Sequence, residues 1–211
     1  MNMTEDWKSR ALKAEEELSR LRNQVENSQP HLPKPEPLIL DPRTTALLIL
    51  DLSNRCNDPE QVCSQLVPRV NVFLQKVRAA KVFTVYTVSA NEKDTPHGGV
   101  WDGFGARSDE PVLAPNAYDK FHGGEIDSLL QKRGIKTVII TGASTNNCIL
   151  FTATGAAKIH GYQVVIPLDG VIAKTSYESE YPLHQLAVMP GGASKLCSFT
   201  TLEGISFKES A

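Results

Sequence analysis

The run Ala46-Leu47-Leu48-Ile49-Leu50 is the feature that most limits what this chain can become. Five apolar residues with no polar alternate leave neither face of a strand for water. Strands of that kind belong to parallel sheets covered on both sides. Apolar runs recur over residues 82–88, 137–140 and 164–166. Helical patterns separate them, over residues 60–80 with an interruption near Pro68, then 126–133, 148–159 and 178–186. Residues 195–199 read as an edge strand. Repeated βα units predict an α/β fold with a mostly parallel sheet, right-handed crossovers and helices on both faces. Ligands in such sheets bind beyond the C-terminal ends of the strands. Chemistry is therefore expected at Asp51, at the polar turn 141–148, and at Asp169-Gly170.

The first 28 residues obey a different rule. Trp7, Ala11, Ala14, Leu18, Leu21 and Val25 alternate spacings of four and three, an a/d seam of about three heptads. A lone helix of that length is marginal in water, so it is expected to pack on a partner chain, giving a homo-oligomer, or on its own domain. Residues 29–43 hold Pro30, Pro33, Pro35, Pro37 and Pro42. That density forbids a continuous helix and predicts an extended linker. Residues 44–211 form the globular domain.

The net charge of −2 gives no basic excess, so no nucleic acid or anionic membrane is expected as a partner. The N-terminus is acidic and helical rather than basic and then apolar, and no run approaches the roughly 20 apolar residues of a membrane span. The expected location is the cytoplasm. The four cysteines, Cys56, Cys63, Cys148 and Cys197, are even in number, but the βα pattern points to a reducing cytosol. No CxxC spacing or Cys/His cluster suggests zinc.

Cys148 follows the polar segment Ser144-Thr145-Asn146-Asn147 and opens an apolar helix, with Thr145 or Asn146 as the expected N-cap. A thiol in a first helical turn sees the positive end of the helix dipole, which lowers its pKa. Unpaired N–H groups of the same turn can hold an oxyanion. The plainer alternative is a small buried cysteine in a core helix. Asp51 is placed as a base for a nearby thiol, or as a loop aspartate bonded to neighbouring amides. Among His31, His97, His122, His160 and His184, only His97 and His122 lie in loops able to reach the strand ends. A Cys148/His122 pair is the weaker alternative to Cys148/Asp51. Lys120, in Tyr118-Asp119-Lys120-Phe121-His122, is a cation able to favour a thiolate, or an exposed surface lysine. The loop over residues 90–118 offers Trp101 and Phe104 as an apolar wall and Arg107 as a partner for a substrate carboxylate, or, as the plainer alternative for each, a residue of loop packing or the surface.

Together these residues resemble the isochorismatase-like cysteine hydrolases over most of residues 44–200. The resemblance rests on the strand ending in Asp51, on Leu129-Leu130 and Arg133-Gly134-Ile135, and on Gly142-Ala143-Ser144-Thr145-Asn146-Asn147-Cys148 with Thr152 and Ala156 behind it. It continues in Gly161-Tyr162 and a strand ending at Asp169. It implies a three-layer α/β/α sandwich with about six strands and an Asp51–Lys120–Cys148 triad. It also implies a cis peptide between Ala143 and Ser144, with the backbone N–H groups of Ser144 and Cys148 as oxyanion donors. Lys120 directly precedes Phe121, where many members place the lysine several residues earlier, so Lys93 is the competing lysine. The segment after Asp51 lacks the histidine that metal-binding members carry, so no metal or other cofactor is expected. The cysteine favours C–N hydrolysis of a small amide or ureide through a thioester. The alternatives are hydrolysis of an isochorismate-type vinyl ether, or an interaction protein that retains the fold.

Overall fold

The computed structural model describes residues 3–28 and 32–209. The chain divides into two compact units, 1–31 and 32–211. The first is helix α1, Met3–Ser28, whose described side chains between Arg10 and Val25 are all exposed. Of the prolines of the expected linker, Pro33, Pro35, Pro37 and Pro42 fall within the second unit. Pro30 lies outside the described residues, while Leu38–Leu40 forms strand β1 and pairs in parallel with Ile205–Phe207.

Strand β2, Thr45–Leu50, is fully buried and central. On one side it pairs in parallel with β3, Phe83–Thr87, which carries the short β4, Val112–Leu113. On the other it pairs with β5, Thr137–Ala143. Beyond β5 come β6, Gln163–Pro167, and β8, Cys197–Thr200, while β7, Val171–Ile172, extends β5 at its C-terminal end. The sheet has seven strands in the order β4-β3-β2-β5-β6-β8, with β7 off that path. The smaller two-stranded sheet joins β1 to β9, Ile205–Phe207.

The uninterrupted apolar run is explained by the two layers it serves. Leu48 and Leu50 face a core with Val138, Ile140 and helices α3 (Glu125–Gln131), α4 (Leu150–Lys158) and α5 (Ser176–Val188). Leu47 and Ile49 face the other core, built with Val70, Phe73, Leu74 and Val77 of α2, Val67–Ala79. Side chains alternate faces along a strand, so a strand buried on both sides must be apolar throughout.

Helix α2 begins later than the pattern over residues 60–80 predicts. Two 3₁₀ turns, Asn54–Asn57 and Val62–Gln65, occupy the stretch before it. They bring the Cα atoms of Cys56 and Cys63 within 5.2 Å, and the two are disulfide-bonded. This corrects the expectation of reduced thiols. Among the described residues, Cys148 and Cys197 are the free cysteines, and no helix is long and apolar enough to cross a membrane.

Candidate active site

Chain direction decides where the site forms. From β2 the path crosses to β3 on one side, and later returns to β5 on the other. The crevice between the C-terminal ends of β2 and β5 is thus a topological switch point, where open α/β sheets bind ligands. Asp51 follows β2 there, and Cys148 follows β5.

The two strands meet closely beneath the site. Leu50 is in register with Gly142. A Cβ on Gly142 would lie 2.1 Å from the Leu50 carbonyl oxygen, at a φ of +129°. Only glycine meets both demands. Asp51 then turns into the left-handed region, φ 54°, with its N–H donating to the Thr87 carbonyl at 3.0 Å. The Thr87 hydroxyl donates to Asp51 Oδ1 at 2.8 Å. Oδ2 receives two groups, Lys120 Nζ at 2.8 Å and the Cys148 thiol at 3.0 Å.

Cys148 comes from a turn of its own. After β5 the Ala143–Ser144 peptide is cis, and a π-helical turn, Thr145–Ile149, leads into α4. Ser144 takes the N-cap position without a side-chain cap bond, so neither Thr145 nor Asn146 is the cap. The Ser144 hydroxyl bonds the Asn146 side chain instead.

Lys120 is seated by α4. Its backbone N–H donates to Thr152 Oγ1 at 3.1 Å, and the Thr152 hydroxyl donates to the Tyr118 carbonyl at 3.2 Å. Further along α4, a Cβ on Gly155 would come within 2.4 Å of the Asp119 carboxylate. A threonine and a glycine on one helix thus hold the lysine loop against the helix that follows Cys148. The Lys120 side chain is only 3% exposed, so it is not a surface lysine. Lys93 is exposed and is not part of this cluster.

The charge state of the thiol differs from expectation. Burial first, and then the Asp51 carboxylate beside it, push the Cys148 thiol up to about 12. Lys120 and the Ser144 N–H pull the other way and lose. Desolvation and an adjacent anion both disfavour a thiolate and outweigh the dipole of one turn. The resting group is a neutral thiol donating to Asp51.

These three side chains line a cavity of about 270 Å³, closed by residues 89–91 after β3 and 115–118 before Lys120. The other proposed pocket residues lie elsewhere. Trp101 donates from Nε1 to Asn57 Oδ1 at 2.7 Å and packs edge-on against Phe104, with ring centroids 5.0 Å apart. Phe104 is 1% exposed in the core against α2. The Arg107 N–H donates to Glu110, and the residue lines a separate cavity of about 560 Å³ near the start of β3. His122 is exposed, with its N–H on the Asp119 carbonyl, and does not line the Cys148 cavity. Two anchors hold the first three in place: the Trp101 N–H donates to the Leu52 carbonyl at 2.9 Å, while Arg78 on α2 pairs with Glu110 and donates to the carbonyls of Phe104 and Gly105.

Thr87 and Gly155 had no part in the sequence reading, and Thr152 entered it only through the family resemblance, with no role assigned. Thr152 carried a signal, since it lies four residues after Cys148 and so on the same helical face. Thr87, from a neighbouring strand, carried none. Among the described residues, no cluster of three or more His, Cys, Asp or Glu side chains is placed to hold a metal ion.

Comparison with known proteins identifies the fold and the family. Ureidoacrylate amidohydrolase RutB of Caulobacter vibrioides is 22% identical over 178 residues, covering 63% of this chain and 79% of that protein. An isochorismatase family protein of Desulfovibrio vulgaris Hildenborough superimposes with a TM-score of 0.66 and 26% identity, over 76% of this chain and 95% of that one. N-carbamoylsarcosine amidase of Thermoplasma acidophilum has the same fold, with a TM-score of 0.64 and 19% identity over 76% of this chain and 97% of that one. Residues 45–196, from the start of β2 to the turn before β8, match the isochorismatase domain, and the chain belongs to the isochorismatase family of hydrolases.

Proposed function

We propose that this hydrolase cleaves the C–N bond of a small amide or ureide, with Cys148 as nucleophile and Asp51 as base. The observation that carries the reading is the single oxygen Asp51 Oδ2, in contact with both the Cys148 thiol at 3.0 Å and Lys120 Nζ at 2.8 Å. A carboxylate already bonded to the thiol can take its proton as sulfur attacks, which removes the need for a standing thiolate. Two relatives named as an amidohydrolase and an amidase support the reaction class.

In the proposed path, the substrate carbonyl lies over the turn 144–148. Sulfur bonds to the carbonyl carbon while the thiol proton passes to Asp51. The backbone N–H groups of Ser144 and Cys148 hold the oxyanion. Lys120 keeps its positive charge beside Asp51 and the developing negative charge. Asp51 then returns the proton to the leaving nitrogen as the C–N bond breaks and a thioester remains. Water attacks the thioester with Asp51 again as base, releasing the acid and the free thiol.

The test is ammonia or amine release from a panel of small amides and ureides. Turnover should vanish in Cys148→Ala and fall steeply in Asp51→Asn, with both variants folded. Turnover that persists in Cys148→Ala overturns the scheme. Isochorismate hydrolysis that survives the same substitution would establish the vinyl-ether reaction instead.

A further inference from the structure

The Cys148 cavity holds one cation and one anion, and each is engaged with the other. Lys120 Nζ lies 2.8 Å from Asp51 Oδ2, with the lysine side chain 3% exposed. The rest of the wall is neutral: Ser89, Asn91, Asn116 and Tyr118 are its polar members, among alanine and proline. The arginines of the neighbouring segments lie or pair elsewhere. Arg55 pairs with Glu92, Arg78 with Glu110, and Arg107 lines the cavity near the start of β3.

A carboxylate moved into such a space loses its water and meets no cation except the Lys120 ammonium, already neutralised by Asp51, which is costly unless the group is paired. A neutral amide loses less and regains hydrogen bonds from the wall. Asn91 and Asn116 are exposed at the rim, and among the described residues no hydrogen bond of the fold uses their side-chain amides or the Ser89 hydroxyl. They can both donate and accept, as an amide or ureide requires. At about 270 Å³ the space is also small beside the roughly 300–1,000 Å³ of common ligand pockets.

We propose that this site takes small uncharged amides or ureides and discriminates against those bearing a carboxylate, with the neutral rim residues Asn91 and Asn116 setting that preference. The proposal rests on Cys148 being the nucleophile. It separates this chain from its relative that acts on ureidoacrylate, whose acrylate group is an anion at neutral pH.

Two alkylating agents that differ in charge test it without knowledge of the substrate. Iodoacetamide is a small neutral amide, and iodoacetate is its carboxylate counterpart. In each reaction the Cys148 sulfur bonds to carbon, iodide leaves with the electron pair, and Asp51 takes the thiol proton. Rates at Cys148 are read by peptide mass spectrometry on the folded full chain and on the urea-unfolded chain. The iodoacetamide-to-iodoacetate ratio should be at least about tenfold higher in the folded chain, the penalty for one unpaired buried charge. Asn116→Arg or Asn91→Arg, which adds a guanidinium at the rim, should bring the ratio back toward the unfolded value. An unchanged ratio on folding overturns the neutral-substrate proposal and leaves the nucleophile intact. A raised ratio that neither arginine variant lowers overturns the assignment to the rim. If Cys148 in the folded chain reacts with neither agent while Cys197 does, the nucleophile reading falls and the proposal falls with it.

Discussion

Among the described residues, two ion pairs sit largely in the interior, and they are completed to different degrees. Arg78 and Glu110, near the start of β3, are 8% and 7% exposed. Arg78 donates from Nε and Nη2 to the two Glu110 oxygens, at 2.8 and 2.7 Å, and from Nη1 and Nη2 to the carbonyls of Phe104 and Gly105. Glu110 also accepts from the Tyr86 hydroxyl and the Arg107 N–H. The pair is saturated and anchors the loop over residues 90–118 to α2. At the other pair, Lys120 has three donors, and among the described residues its ammonium meets only Asp51. Asp51 in turn is bonded to a thiol rather than to a full set of amides. Saturation makes a clamp; hydrogen-bonding capacity left at a cavity wall makes a place where a substrate can complete the network.

The difference is open to attack, beginning with the largest effect. Cys148→Ala should lower turnover by roughly 10⁴-fold or more, the scale seen when an essential nucleophile is removed, while urea denaturation finds the domain as stable as before. Glu110→Gln should do the reverse. Breaking a buried ion pair costs about 3–5 kcal/mol, visible as a shifted denaturation midpoint, with the chemical step at Cys148 largely retained once the chain is folded. If Glu110→Gln instead abolished turnover in a folded protein, the two pairs would not be separable.

A smaller effect is expected from Thr152→Val, which removes the hydroxyl joining Lys120 N–H to the Tyr118 carbonyl. One lost buried bond costs about 1–3 kcal/mol. Because it loosens Lys120, kcat should fall more than KM rises, and Thr152→Ser should restore it. Restoration failing with serine would place the effect in packing rather than in that bond.

The two sites should also fail at opposite ends of the pH scale. Burial acts to raise the Glu110 carboxyl, but the Arg78 hydrogen bonds and the Arg107 N–H reverse it and leave the group below its ordinary value. Its contribution to stability is therefore present above the ordinary carboxylate range and is lost as pH falls through the depressed folded value. Cys148 is raised from 9.0 to about 12. The unfolded thiol ionises first, so this contribution is whole below about 9 and is lost as pH climbs toward 12. Denaturation curves across pH should show Glu110→Gln flattening the acid limb and Cys148→Ala flattening the alkaline one. Deleting residues 1–31 should have the least effect on catalysis. If the a/d seam of α1 pairs chains, the deletion lowers the mass seen by light scattering and leaves turnover per chain unchanged.

The strand and helix order was legible in the chain because it is local. Period-two and period-3.6 patterns, the doubly apolar run ending in Asp51 and the polar turn before Cys148 are properties of neighbours in sequence. They were enough to bring Asp51 and Cys148 to one edge of a parallel sheet, and family resemblance supplied the Lys120 partner. Tertiary structure alone decided the rest. Asp51 and Cys148 are 97 residues apart, and that they share a bond at Oδ2 depends on the Leu50–Gly142 approach. The thiol's resting proton reflects burial and a neighbouring anion, which no local pattern records. Whether Trp101, Phe104 and Arg107 line the pocket was decided by distant partners: Trp101 is held by Leu52 and Asn57, and Phe104 and Arg107 by the Arg78–Glu110 clamp. Periodicity reports which face of an element is buried; the ionisation of a group, and the atom it meets, are set by whatever distant parts of the chain the fold packs against it.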